Sequence, residues 1–409
     1  MFKWIRTLVH YLRTRRFNRE MFRYFDWPLF LLVIAISLFS VVCIFSATTT
    51  SVTEEPATIM EMLETQPTSF ARLQFFWLLA GIVAMFAVMY FSYEAYGRYA
   101  RWIFIGNLAI LVFVLGTEAG RGGMTAFFQW GQNRTFQPSE LGKVAIIISL
   151  AKLLAARKTP ISTVRELVAF GMHVAVPVVL IVAQPDFGTA LVYLAIFCVL
   201  VLVSGTNYKL ILGALAVVVL VAIPGWYLLN SIGSFRLTRI LMWLHPEDYP
   251  DDARQVINAQ IAIGSGGMWG KGIVSVGSFA SLGYISDDHT DFIFAIVCES
   301  FGFVGGFALV LAYVLLLLHL ARLAVKVEDP LGSYIISGVL AMYLFHIVEN
   351  ICMVLGLLPV TGIPLPFMSY GGSNMLTNMM GLGLVMNVVM RDRQKKNQLR
   401  ETPARASRI

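Results

Sequence analysis

His289-Thr290-Asp291-Phe292-Ile293-Phe294 puts a carboxylate where a long polar loop runs into an apolar stretch of membrane-spanning length. A charged side chain deep in a bilayer costs roughly 2.5–3.5 kcal/mol on insertion scales, less near the interface. Asp291 must therefore be solvated, paired or in use. Asp accepts readily from the free N–H groups of a first helical turn, which makes Asp291 a candidate helix cap. It is equally a candidate general base at the outer mouth of a membrane site. Glu299 follows eight residues on, about 12 Å along a helix, and Glu349 stands near His346 in another apolar run. Both are read first as structural partners of a basic side chain and, with His289, as support for Asp291.

Cations that could meet an anionic substrate are Arg134, Lys143, Arg236, Arg239 and Lys271. Lys271 is next to last in a run, Gly264-Ser265-Gly266-Gly267-Met268-Trp269-Gly270-Lys271-Gly272, with five glycines in nine residues. A Walker A loop needs Gly where Ser265 stands and Ser or Thr where Gly272 stands, so an ATP cradle is excluded. The glycines still permit close backbone approach, with Lys271 on a phosphate, or else they form a set of tight turns. Pro138, Ser139 and Glu140 make good helix-starting chemistry. Glu140 and Lys143 are i, i+3 neighbours that either neutralise one another or leave Lys143, with Arg134, as a cationic spot at headgroup level. In Gln184-Pro185-Asp186-Phe187-Gly188-Thr189, Asp186 either caps the next helix or pairs with an Arg or Lys of a neighbouring loop.

The segment from Leu358 to Ser373 is apolar yet holds three prolines and three glycines. Non-helical backbone at membrane depth is tolerated only where protein or a water-filled cavity covers it. This segment therefore marks a cavity reached from outside, with the Ser369 and Ser373 hydroxyls as further candidate contacts.

Composition dictates what positions these groups. Of 409 residues, 57% are hydrophobic and 13% charged, against about 25% charge in soluble domains. Mean hydropathy is +0.72. Apolar runs of about one bilayer crossing occur at 28–47, 72–92, 99–117, 138–156, 166–184, 187–205, 209–230, 291–320, 331–356 and 373–390. The fold class is all-α: a polytopic membrane protein of ten transmembrane helices. With the N-terminus inside, 23 of the 31 Lys and Arg residues fall on inner segments, a strong positive-inside bias. Both termini are thus cytoplasmic, and the fourth extracellular loop, 231–290, is large. The domain division is a basic N-terminal segment 1–27, a membrane domain 28–390 including that loop, and a basic tail 391–409. The net charge of +7 reflects topology, not a nucleic-acid partner. Loops longer than about 15 residues are usually functional or disordered. Loop 231–290 carries Leu237, Leu241, Trp243, Ile257 and Ile261, so it should fold back on the membrane domain. The first run is too long for a cleavable signal and reads as a signal anchor. Four cysteines inside apolar runs have no metal spacing, and no metal ligand set is legible.

FQPSELGK, QPDFGTALV, INAQIAIGSGGMWGKG, HTDFIFAIVCESFGFVGG and GLLPVTGIPLPFMSYGGSN, in this order, resemble the shape, elongation, division and sporulation (SEDS) family, the RodA and FtsW group. The resemblance runs from the first span to Asn387, and GKG with TGIPLPF is closer to the RodA branch. It implies a peptidoglycan glycosyltransferase that polymerises lipid II into glycan strands at the outer face of the cytoplasmic membrane. It also implies Asp291 as an essential residue of the HTDFIF motif and a class B penicillin-binding protein as partner, with other elongation or division proteins. The substrates would be lipid II and the growing glycan chain on undecaprenyl diphosphate. Chemically, the reaction needs a base for the acceptor hydroxyl and positive charge on the departing diphosphate. Asp291 suits the first. Arg134, Lys143, Arg236, Arg239 and Lys271 suit the second, and a divalent cation is a further candidate. Rival readings are a lipid II flippase and a non-catalytic scaffold for the transpeptidase.

Overall fold

The computed structural model describes residues 19–49, 61–62, 64, 66–116, 128–129, 135–214, 216, 235–285 and 289–406. Its helices are α1 (Trp27–Ala47), α2 (Ser69–Tyr90), α3 (Tyr93–Leu115), α4 (Pro138–Ala155), α5 (Val164–Ala183) and α6 (Phe187–Val203). After these come α7 (Phe235–Leu244), α8 (Pro250–Ser265), α9 (Ile293–Lys326), α10 (Pro330–Val354) and α11 (Gly372–Ala406). The one departure from an all-α fold among the described residues is a two-residue antiparallel ladder, β1 (Phe128–Gln129) on β2 (Thr135–Phe136).

Local chemistry explains the helix starts. Asp26 accepts from the Leu29 N–H at 3.2 Å to open α1, with Pro28 in the first turn. Thr163 and Glu166 form a reciprocal capping box on α5, and Asp329 accepts from Gly332 N–H at 3.0 Å to open α10. Each arrangement satisfies N–H groups that a helix leaves open at its start.

Six helices, α1, α2, α3, α5, α9 and α10, are long and apolar enough to cross a membrane by length and composition; α6 is shorter but apolar. α4 falls outside that set because Glu140, Lys143 and Lys152 interrupt it. It lies innermost, packed by α3, α6, α10 and α11, with nearly every side chain from Ser139 to Leu150 buried. Phe76 and Val83 on α2, Trp102 and Phe113 on α3 and Val179 on α5 are exposed, the outward apolar face expected of a protein in lipid. α3 starts at Tyr93, six residues before the apolar run, because Ser92 caps it from its side chain. Of the expected span 209–230, residues 209–214 and 216 are described, and they are helical. Cys43 and Cys298 are buried, whereas Cys198 is exposed and Cys352 half-buried.

The glycine-rich run has a structural task that its sequence did not reveal. α9 is broken at Gly302, whose backbone (φ 68°, ψ −165°) is non-helical. Four hydrogen bonds stitch 267–272 into the break. Lys271 N–H donates to Glu299 O at 2.9 Å and Gly272 N–H to Ser300 O at 3.0 Å, while Phe303 N–H donates to Gly267 O at 2.8 Å and Val304 N–H to Met268 O at 3.2 Å. Polar backbone groups freed by the break thereby find partners, as burial requires. A Cβ on Gly302 would lie 2.4 Å from Gly270 N and 2.5 Å from Met268 O. Gly302→Ala should accordingly lower stability by about 1–3 kcal/mol, the range for a side chain forced into glycine-only backbone. A thermal-unfolding midpoint within a degree of the parent protein would contradict this role.

Candidate active site

Three polar side chains on one face of α10, at 346, 349 and 350, fasten the broken segment. Positions i, i+3 and i+4 stand together on a helix. His346 Nδ1 lies 3.0 Å from Pro364 O, and its other nitrogen, Nε2, lies 3.0 Å from Lys143 Nζ. An ammonium can only donate, so Nε2 accepts and Nδ1–H donates to the carbonyl, which fixes a neutral tautomer. The Thr361 hydroxyl donates to Glu349 Oε1. Asn350 Nδ2 donates to Ile363 O and to Asp291 O, both at 2.8 Å.

Asp291 is thereby held by its backbone against the strip 361–363, just ahead of α9. That helix begins at Ile293, with Phe292 in the cap position and no capping bond from a side chain. Gly362, at φ +73°, lies against the carboxylate: a Cβ there would stand 3.4 Å from Asp291 Oδ2. The Asp291 carboxylate also acts electrostatically on Glu349. His289 packs its ring on Phe70 and Tyr370, centroids 4.9 and 5.5 Å apart, while its carbonyl accepts from Tyr370 N–H at 2.8 Å. Its support of the Asp291 turn is thus through packing and backbone.

The other side of the strip is formed by the starts of α4 and α6. Asp186 accepts from Thr189 N–H at 3.1 Å, from Gln137 Nε2 at 2.6 Å and from Ser139 Oγ at 3.1 Å. It is both the cap of α6 and a tie to α4, with no Arg or Lys among its described partners. A Cβ on Gly188 would lie 2.9 Å from Thr361 O, so this turn packs directly on the strip. Ser373 Oγ accepts from Gln137 N–H at 3.0 Å. Ser369 Oγ accepts from Leu365 N–H at 2.7 Å and is fully buried. Ser369 braces the segment internally, whereas Ser373 ties its end to the start of α4.

Of the expected cations, Lys143 is the most enclosed. Its side chain is 1% exposed and its ammonium lies 2.6 Å from Glu140 Oε1, besides His346. It neutralises Glu140, as the i, i+3 spacing allows, and does not reach a headgroup in this conformation. Lys271 Nζ lies 2.9 Å from Glu299 Oε1, which also accepts from Phe279 N–H at 2.8 Å. Glu299 is therefore the structural partner of a basic residue, as read from the sequence, and it locks the glycine turns. Arg239 NH1 donates to Val360 O at 3.4 Å, which brings α7 onto the strip. Trp243 Nε1 to Gly356 O at 2.9 Å and Gln260 Nε2 to Leu355 O at 3.0 Å tie α7 and α8 to the end of α10, just ahead of the broken segment. The broken segment thus packs under the large loop, as expected. Arg134 lies outside the described residues, as does the side chain of Arg236.

Sequence reasoning missed Asn350, Thr361 and Gln137. Asn350 was findable, since it completes a polar stripe with His346 and Glu349 in an otherwise apolar span. Thr361 carries no such signal, because its hydroxyl matters only through Glu349, twelve residues away in sequence. Among the described residues, no group of three or more His, Cys, Asp or Glu side chains could hold a metal ion.

A model of a family of cell cycle proteins, FtsW, RodA and SpoVE, matches residues 26–394. The probable peptidoglycan glycosyltransferase FtsW of Geobacter sp. (strain M18) is 33% identical over 79% of this chain and 88% of its own. The peptidoglycan glycosyltransferase RodA of Treponema pallidum (strain Nichols) is 30% identical over 89% of this chain and 97% of its own. A chain of a solved peptidoglycan synthase complex, described as coordinating polymerization and crosslinking, superposes with a TM-score of 0.72. It is 30% identical, covering 90% of this chain and 98% of its own. Relatives bearing both the FtsW and RodA names match at similar identity, which favours neither branch.

Proposed function

The chain belongs to the FtsW, RodA and SpoVE family of cell cycle proteins, and from that premise we propose that it is a peptidoglycan glycosyltransferase of the cytoplasmic membrane. It polymerises lipid II into glycan strands at the outer face, in a cell-shape duty for which the Gly270-Lys271-Gly272 and TGIPLPF motifs speak. One observation carries the reading. The Asp291 backbone is fastened by Asn350 beside a non-helical strip, and Gly362 leaves its carboxylate without a crowding side chain.

In the reaction, the acceptor sugar hydroxyl of lipid II attacks the anomeric carbon of the growing chain. The new C–O bond forms as the bond to undecaprenyl diphosphate breaks, and Asp291 takes the hydroxyl proton. Base assistance of this kind is typically worth 10²–10⁴ in rate. Arg134, Arg236 and Arg239 are assigned to the departing diphosphate, where positive charge develops its value in a water-poor site. Lys143 and Lys271 contribute from behind, through the Glu140 and Glu299 pairs. A divalent cation is a further candidate source of charge there, since Mg²⁺ is commonly held by one or two carboxylates together with substrate phosphates, and Asp291 would be the carboxylate to meet it.

The similarity to a chain of a peptidoglycan synthase complex supports a class B penicillin-binding protein as partner, together with further elongation or division proteins. The reading includes ten spans in a membrane domain 28–390, cytoplasmic segments 1–27 and 391–409, and loop 231–290 outside, because 23 of the 31 basic residues then face inward. A cysteine placed at Asp251 is expected to react with an impermeant thiol reagent in intact cells, and one at Lys396 is not. The reverse pattern would overturn the sidedness. The activity itself is tested by incubating the purified protein and its transpeptidase with lipid II and following glycan formation.

A further inference from the structure

We propose that Glu349 is a positioning residue of the polymerase site, acting through Thr361 to hold the strip 361–363 against Asp291; the role rests on the reading of Asp291 as the base. The strip has no helical hydrogen bonds of its own, so its shape depends on what α10 gives it. His346 fastens Pro364 and Asn350 fastens Ile363. Between them, the hydroxyl of Thr361 donates to Glu349 Oε1. Asn350 joins the same strip to the backbone of Asp291. The three α10 side chains therefore set the distance between Asp291 and Gly362, the residue that faces its carboxylate.

Glu349 is a costly way to hold a helix together. It is 4% exposed, and its second oxygen, Oε2, has no hydrogen-bond partner among the described residues. Burying a carboxylate is unfavourable unless it is well paired, and Glu349 gains a single hydroxyl bond. A leucine there would pack on α10 without that penalty. Stability gives no reason for the carboxylate, whereas fixing Thr361 does. The hydroxyl of Thr361 points into α10 while its carbonyl faces the Gly188 turn. Loss of the anchor frees the strip to shift at Gly362, which at φ +73° holds a conformation glycine adopts without a steric penalty. A displacement of about 1 Å at a reacting group can cost roughly 10²-fold in rate.

The test uses the purified protein with its transpeptidase. Thr361→Val and Glu349→Leu each remove one side of the bond, and Thr361→Ser retains it. Rates are read at varied lipid II concentration, beside thermal unfolding. Each disruptive variant should lower kcat by roughly 10- to 100-fold with KM and the unfolding midpoint little changed. The double variant should be no slower than the worse single one, since both remove the same contact. Thr361→Ser should work at near the parental rate. If Val at 361 fails to fold, Thr361→Ala removes the hydroxyl with less bulk and replaces it in the comparison. Parental kcat in Thr361→Val, or multiplied losses in the double variant, would overturn the proposal. An active Asp291→Asn would instead remove the premise, so the two failures are separable.

Discussion

Asp291→Asn should abolish glycan polymerisation while leaving the folded protein and its partner complex intact. The expected loss is the contribution of general-base catalysis, about 10²–10⁴ in rate, enough to bring polymerisation to background. Asn keeps the size and hydrogen-bonding shape of Asp but does not take up a proton. The structure gives reason to expect the fold to survive. Asn350 binds the carbonyl of Asp291 rather than its side chain, and Asn keeps most of the helix-capping ability of Asp at the turn ahead of α9. Thermal unfolding and co-purification with the transpeptidase should match the parent. Asp287 and Asp288, in the preceding loop outside the described residues, should tolerate the same change. Polymerisation at the parental rate in Asp291→Asn would remove the base; a collapse in stability would make it a structural residue.

The second large effect is expected at Lys143, and it concerns stability. Lys143→Met leaves Glu140, 4% exposed, as a buried charge without its counter-ion, and one Glu140 oxygen already lacks a hydrogen-bond partner among the described residues. Removing one member of a buried pair typically costs about 3–5 kcal/mol, a large share of a protein's margin. The same change removes the donor that fixes His346, so the Pro364 anchor should loosen with it. Purified yield and unfolding midpoint in detergent should both fall sharply. Adding Glu140→Gln to Lys143→Met removes the stranded charge and should restore most of the midpoint, without restoring full activity. A single variant as stable as the parent would show that the pair is not the keystone of α4.

Much of the architecture was legible because lipid imposes simple rules. Apolar runs matched the helices wherever both are described, and Pro138 and Asp186 marked helix starts through local chemistry. What escaped is long-range. Lys143 and His346 are 203 residues apart, so the i, i+3 spacing to Glu140 showed only half of that cluster. The break in α9 was hidden because Phe301, Gly302 and Phe303 continue the apolar pattern without a proline. The glycines of 264–272 announced close approach but not its target. Only the fold brings Gly270 against Gly302. Asp291 was found from its place at a loop–span junction, and the helix itself starts at Ile293, two residues later than the apolar run.

The most direct measurement of the whole account is polymer formation from labelled lipid II by the purified protein with its cognate class B penicillin-binding protein, in the presence of a divalent cation and without any ion gradient. The transpeptidase alone and the complex carrying Asp291→Asn serve as controls. The account expects long glycan strands from the intact complex and none from either control. Lipid II recovered unchanged from the intact complex, or strands made equally well with Asp291→Asn, would contradict it.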